Sequence, residues 1–250
     1  MPSVLVTKQF RPPCRHPGPE VETSALAIPI TSLRAGYRGG RRVRQDSQMA
    51  EQKNQAAEYW ERDFARRIAL MRPSDTARGV FCIGLLRAVG ELGDGVMASR
   101  CLAASGEKEF VEFFNYPMAS YLRMVATAIR LLAVEHGSFD EALRQLGRRA
   151  ARDFRESKAG KAMGVMHGGD ARRLLDSLPI VYRVSLSFGE FDLSWVGPGR
   201  ARFSLKNTFM PFPFHEGTLL ELLEKMPVQR VTVLGRQTDV LDSEYDISWE

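Results

Sequence analysis

The apolar residues of this chain change their spacing part-way along, from a helical period to a strand period. Up to residue 178 they recur every three or four positions, as on one face of an amphipathic helix. Beyond Pro179 they alternate with polar residues, as in a strand with one buried face. The alternating positions are Val184, Leu186, Phe188, Phe191, Leu193 and Trp195. Helices first and strands last predict an α+β fold, with a mainly helical N-terminal half followed by a small antiparallel β-sheet with one crossing helix.

The segment 117–136 is predicted to be the central helix, because it is apolar over most of its circumference. Its polar side chains form one narrow line that includes Arg123 and Arg130. This line either meets solvent or borders a cavity, where the two arginines would hold an anionic ligand. We expect the aromatic residues Phe113, Phe114, Tyr116 and Phe214, with His215, to line any pocket.

The boundaries of several elements are predicted from capping residues and prolines. Ser74 or Asp75 is expected to begin a helix that runs to residue 92, and Ser138 with Glu141 forms a capping box. Pro179 is expected to end a short helix that Asp170 caps. The stretch TFMPFPFHEG, residues 208–217, is predicted to be a proline-broken loop before a helix over 217–226.

A basic patch follows the capping box, on the predicted helix from Phe139. It favours a phosphate-bearing or protein partner, or else a solvated helix face. Aromatic residues do not interleave with it, and no helix-turn-helix or zinc-finger spacing accompanies it, so we do not expect nucleic-acid binding. The patch consists of Arg144, Arg148, Arg152 and Arg155.

The net charge of +5 comes from the first 48 residues, because residues 49–250 hold equal numbers of basic and acidic side chains. Residues 1–48 are proline-rich and lack a helical or strand period. They predict a disordered basic tail, with or without a partner, or a mis-assigned start with translation beginning at Met49. Residues 49–250 are predicted to form a single α+β domain.

The residues that carry most enzyme chemistry are not arranged in known motifs. Cys14, Cys82 and Cys101 show no CxxC spacing, and the four histidines show no metal-ligand spacing. We therefore predict no catalytic residues, no metal site and no cofactor. Lacking a secretory signal and an apolar stretch long enough to span a bilayer, the chain is predicted to be cytoplasmic.

Several segments in order resemble a paralogous family of uncharacterised proteins that is largely restricted to myxobacteria. The segments are RPSDTARGVFCIGLLRAVGEL, FFNYPMASYLRMVATAIRLL, FDEALRQLGRRAARDF, SKAGKAM, LPIVYR, HEGTLLELL and YDISW. The layout is also similar to haem-nitric-oxide-binding and vinyl-reductase-like ligand modules. The YxSxR motif of the haem module is absent, so the resemblance does not imply a bound haem.

Three hypotheses of function follow from these patterns. The first is a non-catalytic regulatory or sensory module that binds a small apolar ligand or a protein partner. The second is a structural protein that self-assembles as a homo-oligomer or pairs with a partner. The third is an enzyme with a dispersed site that one sequence does not reveal.

Overall fold

A computed structural model describes the backbone of residues 39–157, 161 and 167–250, and the side chains of this set from residue 49 onward. The part of the chain from Val43 to Glu250 forms one compact unit. The helices are α1 (Gly39–Ala69), α2 (Gly79–Leu92), α3 (Gly95–Ser105), α4 (Met118–His136), α5 (Phe139–Glu156), α6 (Ala171–Ser185) and α7 (Phe212–Leu223). The strands are β1 (Thr76–Arg78), β2 (Asn115–Pro117), β3 (Glu190–Gly197), β4 (Arg200–Lys206), β5 (Thr232–Gln237) and β6 (Ser243–Ser248).

The predicted α+β class is confirmed. β1 and β2 form a two-stranded antiparallel sheet, and the other strands form an antiparallel sheet in the order β3-β4-β6-β5. The alternation predicted along β3 holds, since Phe191 pairs with Leu205 and Leu193 with Phe203 in the register with β4. One face of this larger sheet is buried, and α7 is the crossing helix that the sequence predicted.

Two clusters of buried side chains stabilise this unit. The helical core is built around α4, whose predicted apolar stripes are buried, and it also takes residues from α1, α2, α3, α5 and the loop before α7. The sheet core lies between the larger sheet and helices α6 and α7. Its buried members are Ala171, Leu174, Leu175, Leu178, Phe191, Ala201, Phe203, Leu205, Leu219, Leu223, Val233, Tyr245 and Ile247.

Helices α5 and α7 cross with their backbones in contact, at one glycine on each helix. A Cβ atom placed on Gly147 would lie 1.9 Å from the carbonyl oxygen of Phe214. A Cβ on Gly217 would lie 2.0 Å from the carbonyl oxygen of Arg144. These distances are far below van der Waals contact, so the crossing requires glycine at both positions. The crossing joins the two cores.

The predicted caps at Ser138 and Asp170 are confirmed, whereas the start of α2 was wrongly placed. Ser138 Oγ accepts from the backbone N–H of Glu141, and the Asp170 carboxylate accepts from the N–H groups of Arg172 and Arg173. Helix α2 begins at Gly79 because the preceding residues, Thr76–Arg78, pair with β2 instead.

The region around Pro179 differs from the prediction, because α6 continues through the proline to Ser185. Proline removes one helical hydrogen bond, but Leu175 and Leu178 are anchored in the sheet core just before that position. Val184 is therefore helical, and the strand pattern begins only at Glu190. Tertiary packing overrides the local alternation.

The stretch predicted as a proline-broken loop is in part the first turn of α7. This helix begins at Phe212, so Pro213 occupies the first turn, where its missing N–H is tolerated. His215 consequently lies on a helix, rather than on a loop.

The predicted tail, residues 1–48, falls mostly outside the described residues. Its last part, 39–48, is the beginning of α1, a helix that continues through Met49. The described helices include none that is long and apolar enough to cross a membrane.

Candidate functional site

A cavity of about 170 Å³ lies where the helical core meets α6, α7 and the loop before α7. The described residues that line it are mostly aliphatic and aromatic, and none of them is charged. Helices α4, α5, α6 and α7 each contribute to it. The lining comprises Ala77, Phe81, Met118, Tyr121, Ala150, Ala151, Phe154, Leu178, Val181, Tyr182, Ser185, Leu186, Phe188, Thr208, Phe209, Met210, Phe214, His215, Thr218 and Leu222.

His215 and Tyr182 are a hydrogen-bonded pair within this lining. Nδ1 of His215 lies 3.1 Å from the Tyr182 hydroxyl, and the imidazole side chain is 4% exposed. Its other ring nitrogen, Nε2, is buried and has no hydrogen-bond partner among the described residues. Burial, with the positive charge of Arg67 adding to it, lowers the pKa of His215 to about 3. The imidazole is therefore neutral at physiological pH.

Arg67 of α1 holds one wall of the cavity, the loop over residues 208–210. This arginine is 2% exposed, and its Nε donates to the Asp63 carboxylate. Its Nη1 lies 3.5 Å from each of the carbonyl oxygens of Thr208, Phe209 and Met210. The buried guanidinium thus connects α1 to three consecutive residues that line the cavity.

The described cysteines are unsuited to nucleophilic chemistry in this conformation. Burial raises the pKa of Cys82 to about 12 and that of Cys101 to about 11. Both are thus protonated thiols at neutral pH, and the thiolate is the reactive form. In the described part of the chain, no three His, Cys, Asp or Glu side chains are grouped so that they could hold a metal ion.

Of the residues predicted to line a pocket, the structure brings Phe214 and His215 together at the cavity. Phe113 and Phe114 instead lie on the surface, 79% and 63% exposed. Tyr116 lies in β2, where its hydroxyl accepts from the backbone N–H of Val111. These aromatic residues do not line the cavity.

The two arginines predicted on α4 also lie away from the cavity. Arg130 is exposed and pairs with Glu61 at 3.0 Å. Arg123 is exposed too, and its Nη2 donates to Ser120 Oγ at 3.2 Å. Of the two alternatives for these arginines, solvent or a cavity, the structure places both at the surface.

The arginines of the basic patch are partly exposed, and each is paired with an acidic side chain. They meet the acidic residues of α7 and the position after it, at the crossing of α5 with α7. Glu221, which is 3% exposed, lies between three of these arginines. The shortest contacts are Arg144–Glu216 at 2.7 Å, Arg148–Glu224 at 2.6 Å, Arg152–Glu221 at 3.3 Å and Arg155–Glu221 at 3.5 Å.

The sequence did not identify Tyr182 or Phe188 as cavity residues. Tyr182 was assigned to a strand, and only its place on α6 directs its hydroxyl to His215. Phe188 stacks edge-to-face on Phe209 with ring centroids 4.7 Å apart. A helical interpretation through Pro179, with Leu175, Leu178 and Tyr182 spaced by three and four, would have found the first of them.

Comparison with known proteins assigns the chain to a family. A family model described as a protein of unknown function, DUF2378, matches residues 70–250. The chain belongs to the DUF2378 family. No curated protein sequence matches it significantly. The resemblance to a family of uncharacterised proteins is thereby confirmed, whereas the restriction to myxobacteria stays a prediction.

The fold of this DUF2378 protein is similar to that of H-NOX proteins. The unliganded Fe(II) H-NOX protein from K. algicida matches with a TM-score of 0.55 and 14% identity, over 69% of this chain and 96% of that one. The S. oneidensis H-NOX in its Fe(II)NO state matches with a TM-score of 0.56 and 11% identity, over 69% and 99%. An oxygen-binding H-NOX domain related to soluble guanylate cyclases matches with a TM-score of 0.53 and 12% identity, over 69% and 95%.

These structural neighbours raise the question whether a haem fits the cavity of the DUF2378 protein. A neutral histidine such as His215 is a residue type that ligates haem iron. The cavity of about 170 Å³, however, is smaller than the ~300 Å³ that drug-sized ligands need. The described lining also has no cationic side chain for the haem carboxylates. The residues present therefore do not fit a haem.

Proposed function

We propose that the chain is a non-catalytic sensory or regulatory module that binds a small, uncharged and largely apolar molecule in its cavity. The observation that carries this proposal is a cavity of about 170 Å³ without a charged side chain in its described lining. An apolar cavity of ~150 Å³ in another protein binds benzene or xenon. A molecule of about that size therefore suits the space.

The position of the cavity gives binding a route to a structural response. Its lining combines residues of both cores, such as Tyr121 of α4 and Leu178 of α6. A bound molecule gains contacts with both cores at once and so favours the conformation in which they enclose it. The likeness to H-NOX proteins, one of them in its Fe(II)NO state and another an oxygen-binding domain, supports a small-molecule ligand.

Toluene is a suitable probe, because it is apolar and close to benzene in size. The wild-type Tm should rise with toluene concentration, since a ligand that binds the folded state stabilises it. In the variant Ala151→Leu, whose side chain is buried in the cavity wall, this rise should disappear. The matched control is Ala103→Leu on the exposed side of α3, which should respond like the wild type.

Two outcomes would contradict the proposal. One is a wild-type Tm that toluene does not raise at any concentration. The other is an equal rise in Ala151→Leu, which would place the binding outside the cavity.

The alternative is that the chain assembles with copies of itself. The observation in its favour is a group of exposed apolar side chains close to the start of α2, where Gly79 N–H donates to the Phe114 carbonyl. Sedimentation velocity over a wide concentration range tests it, with Phe113→Ser as the variant that should weaken association. A concentration-independent monomer would remove this alternative. The group consists of Val80, Val111, Phe113 and Phe114.

A further inference from the structure

One buried polar atom in the cavity lining lacks an explanation, namely Nε2 of His215. It has no hydrogen-bond partner among the described residues, and it is shielded from water-sized molecules. Buried polar groups in folded proteins are nearly always paired. We propose that the molecule in the cavity carries one uncharged hydrogen-bond acceptor, a ketone, aldehyde or ether oxygen, to which Nε2–H of His215 donates. This inference rests on the proposed function and adds the chemical class of the ligand.

Tyr182 determines which imidazole nitrogen carries the hydrogen. A neutral imidazole has one N–H and one acceptor nitrogen, and a phenol can donate or accept. If Tyr182 donates to Nδ1, the hydrogen is on Nε2 and one group lacks a partner. If Nδ1 donates instead, both the Tyr182 hydrogen and the Nε2 lone pair lack partners among the described residues. Each unpaired buried group costs free energy, so the first arrangement is favoured.

The charge state of the site restricts the ligand further. The imidazole is neutral, and the described lining has no charged side chain that could compensate a ligand charge. Arg67, the cation that acts on the pKa of His215, is already paired with Asp63. Burying an uncompensated charge is costly. A neutral acceptor on an apolar body therefore fits better than a carboxylate, a phosphate or an amine.

Room for an acceptor next to His215 can come from the side chains that share its cavity. Met118 and Met210 both line it. Methionine has an unbranched, flexible side chain that adapts to irregular space at little cost. Contact between a ligand and Nε2 therefore requires a shift of lining side chains, because this nitrogen is not exposed to the cavity in the present conformation.

The test uses two probes of nearly equal shape, cyclohexanone and methylenecyclohexane, which differ in a carbonyl oxygen against a CH₂ group. Their affinities for the full chain are measured by calorimetric titration, and the ratio of the two cancels the contribution of size. In His215→Phe, the affinity for cyclohexanone relative to that for methylenecyclohexane should fall about tenfold. In Tyr182→Phe, which leaves the volume almost unchanged, it should shift by about threefold in the same direction.

The outcomes separate this inference from the proposed function. If neither probe binds the wild type, the proposed function fails. If both bind and the ratio is the same in wild type, His215→Phe and Tyr182→Phe, the ligand-binding function stands and the acceptor is wrong. Should His215→Phe not fold, Tyr182→Phe alone decides.

A second measurement does not depend on any variant. A long-range ¹H–¹⁵N correlation spectrum of the imidazole rings reports which nitrogen of His215 is protonated. A hydrogen on Nε2 is expected, and its signal should shift on addition of cyclohexanone but much less with methylenecyclohexane. A hydrogen on Nδ1 would overturn the inference, because Nε2 would then present a lone pair.

Discussion

Nε of Arg67 donates to Oδ2 of Asp63 over 2.5 Å, and the two side chains are 2% and 6% exposed. Removing one member of a buried ion pair leaves the other charge uncompensated, which costs about 3–5 kcal/mol. We expect Asp63→Leu to lower the free energy of unfolding by about that amount, measured by urea denaturation. The double variant Asp63→Leu with Arg67→Met should recover much of the loss. Additive losses in the double variant would contradict the pairing.

The crossing of α5 and α7 makes a second prediction, on glycine. Gly147→Ala should lower the free energy of unfolding by more than about 2 kcal/mol, because its Cβ would collide with the backbone of Phe214. Gly84→Ala in α2 is the matched control. Its nearest neighbour would be the Asp153 carboxylate at 3.8 Å, so better helix propensity should stabilise it by up to ~1 kcal/mol. Chemical denaturation of both variants checks the opposite signs.

The arginines on α5 give a third prediction, in which the burial of their acidic partners decides the effect. Glu221 is 3% exposed between Arg152 and Arg155, whereas Glu224 is 42% exposed beside Arg148. Glu221→Gln should lower the free energy of unfolding by about 3 kcal/mol. Glu224→Gln, the same change one turn on, should cost less than about 1 kcal/mol. Equal losses in the free energy of unfolding, measured by thermal or chemical denaturation, would show that burial does not determine how much these ion pairs contribute to stability.

A fourth prediction concerns pH. Burial and the charge of Arg67 lower the pKa of His215 to about 3 from its ordinary value of 6.5. The unfolded chain takes up a proton near pH 6.5 and the folded chain does not until about pH 3. The stability from this neutral group is therefore complete above pH 6.5 and is lost as the pH falls toward 3.

Between pH 7 and pH 5 this loss amounts to about 2 kcal/mol. His215→Gln has no proton to take up, so its free energy of unfolding should fall by about that much less over the same range. Urea denaturation of both proteins at several pH values checks the difference. Parallel pH curves would mean that the imidazole is not buried in neutral form.

Local patterns predicted the helix and strand faces well where the sequence alone encodes them. Leu122 and Val125 of α4 recur at helical spacing and are buried, and Phe191 and Leu193 alternate as β3 requires. The caps at Ser138 and Asp170 are equally local. Such features depend on residues within a few positions of each other, so a single sequence is enough to find them.

The cavity could be predicted only in part, because contacts between distant segments create it. The sequence predicted that Phe214 and His215 line a pocket. The partner of His215, however, is Tyr182, which lies on a helix that was predicted to end at Pro179. The arginines of α5 looked unpaired because their acidic partners lie on α7, on the far side of α6 and the β3–β4 hairpin in the sequence. Phe114 was expected to line a pocket because it is aromatic, and the side of α4 that carries Arg123 stayed open between solvent and a cavity, since one sequence does not show what covers either position.

The loop over 208–210 is both a wall of the cavity and the acceptor of the Arg67 guanidinium. Outward movement of the loop would break the hydrogen bonds of the buried Arg67 guanidinium, so the backbone on this side of the cavity is rigid. A larger ligand therefore has to be accommodated by side chains such as Met118 and Met210 and not by movement of the loop backbone, which limits how much the cavity can expand. Selectivity among ligands of a homologous series should accordingly fall when Arg67 is replaced by a shorter, uncharged residue.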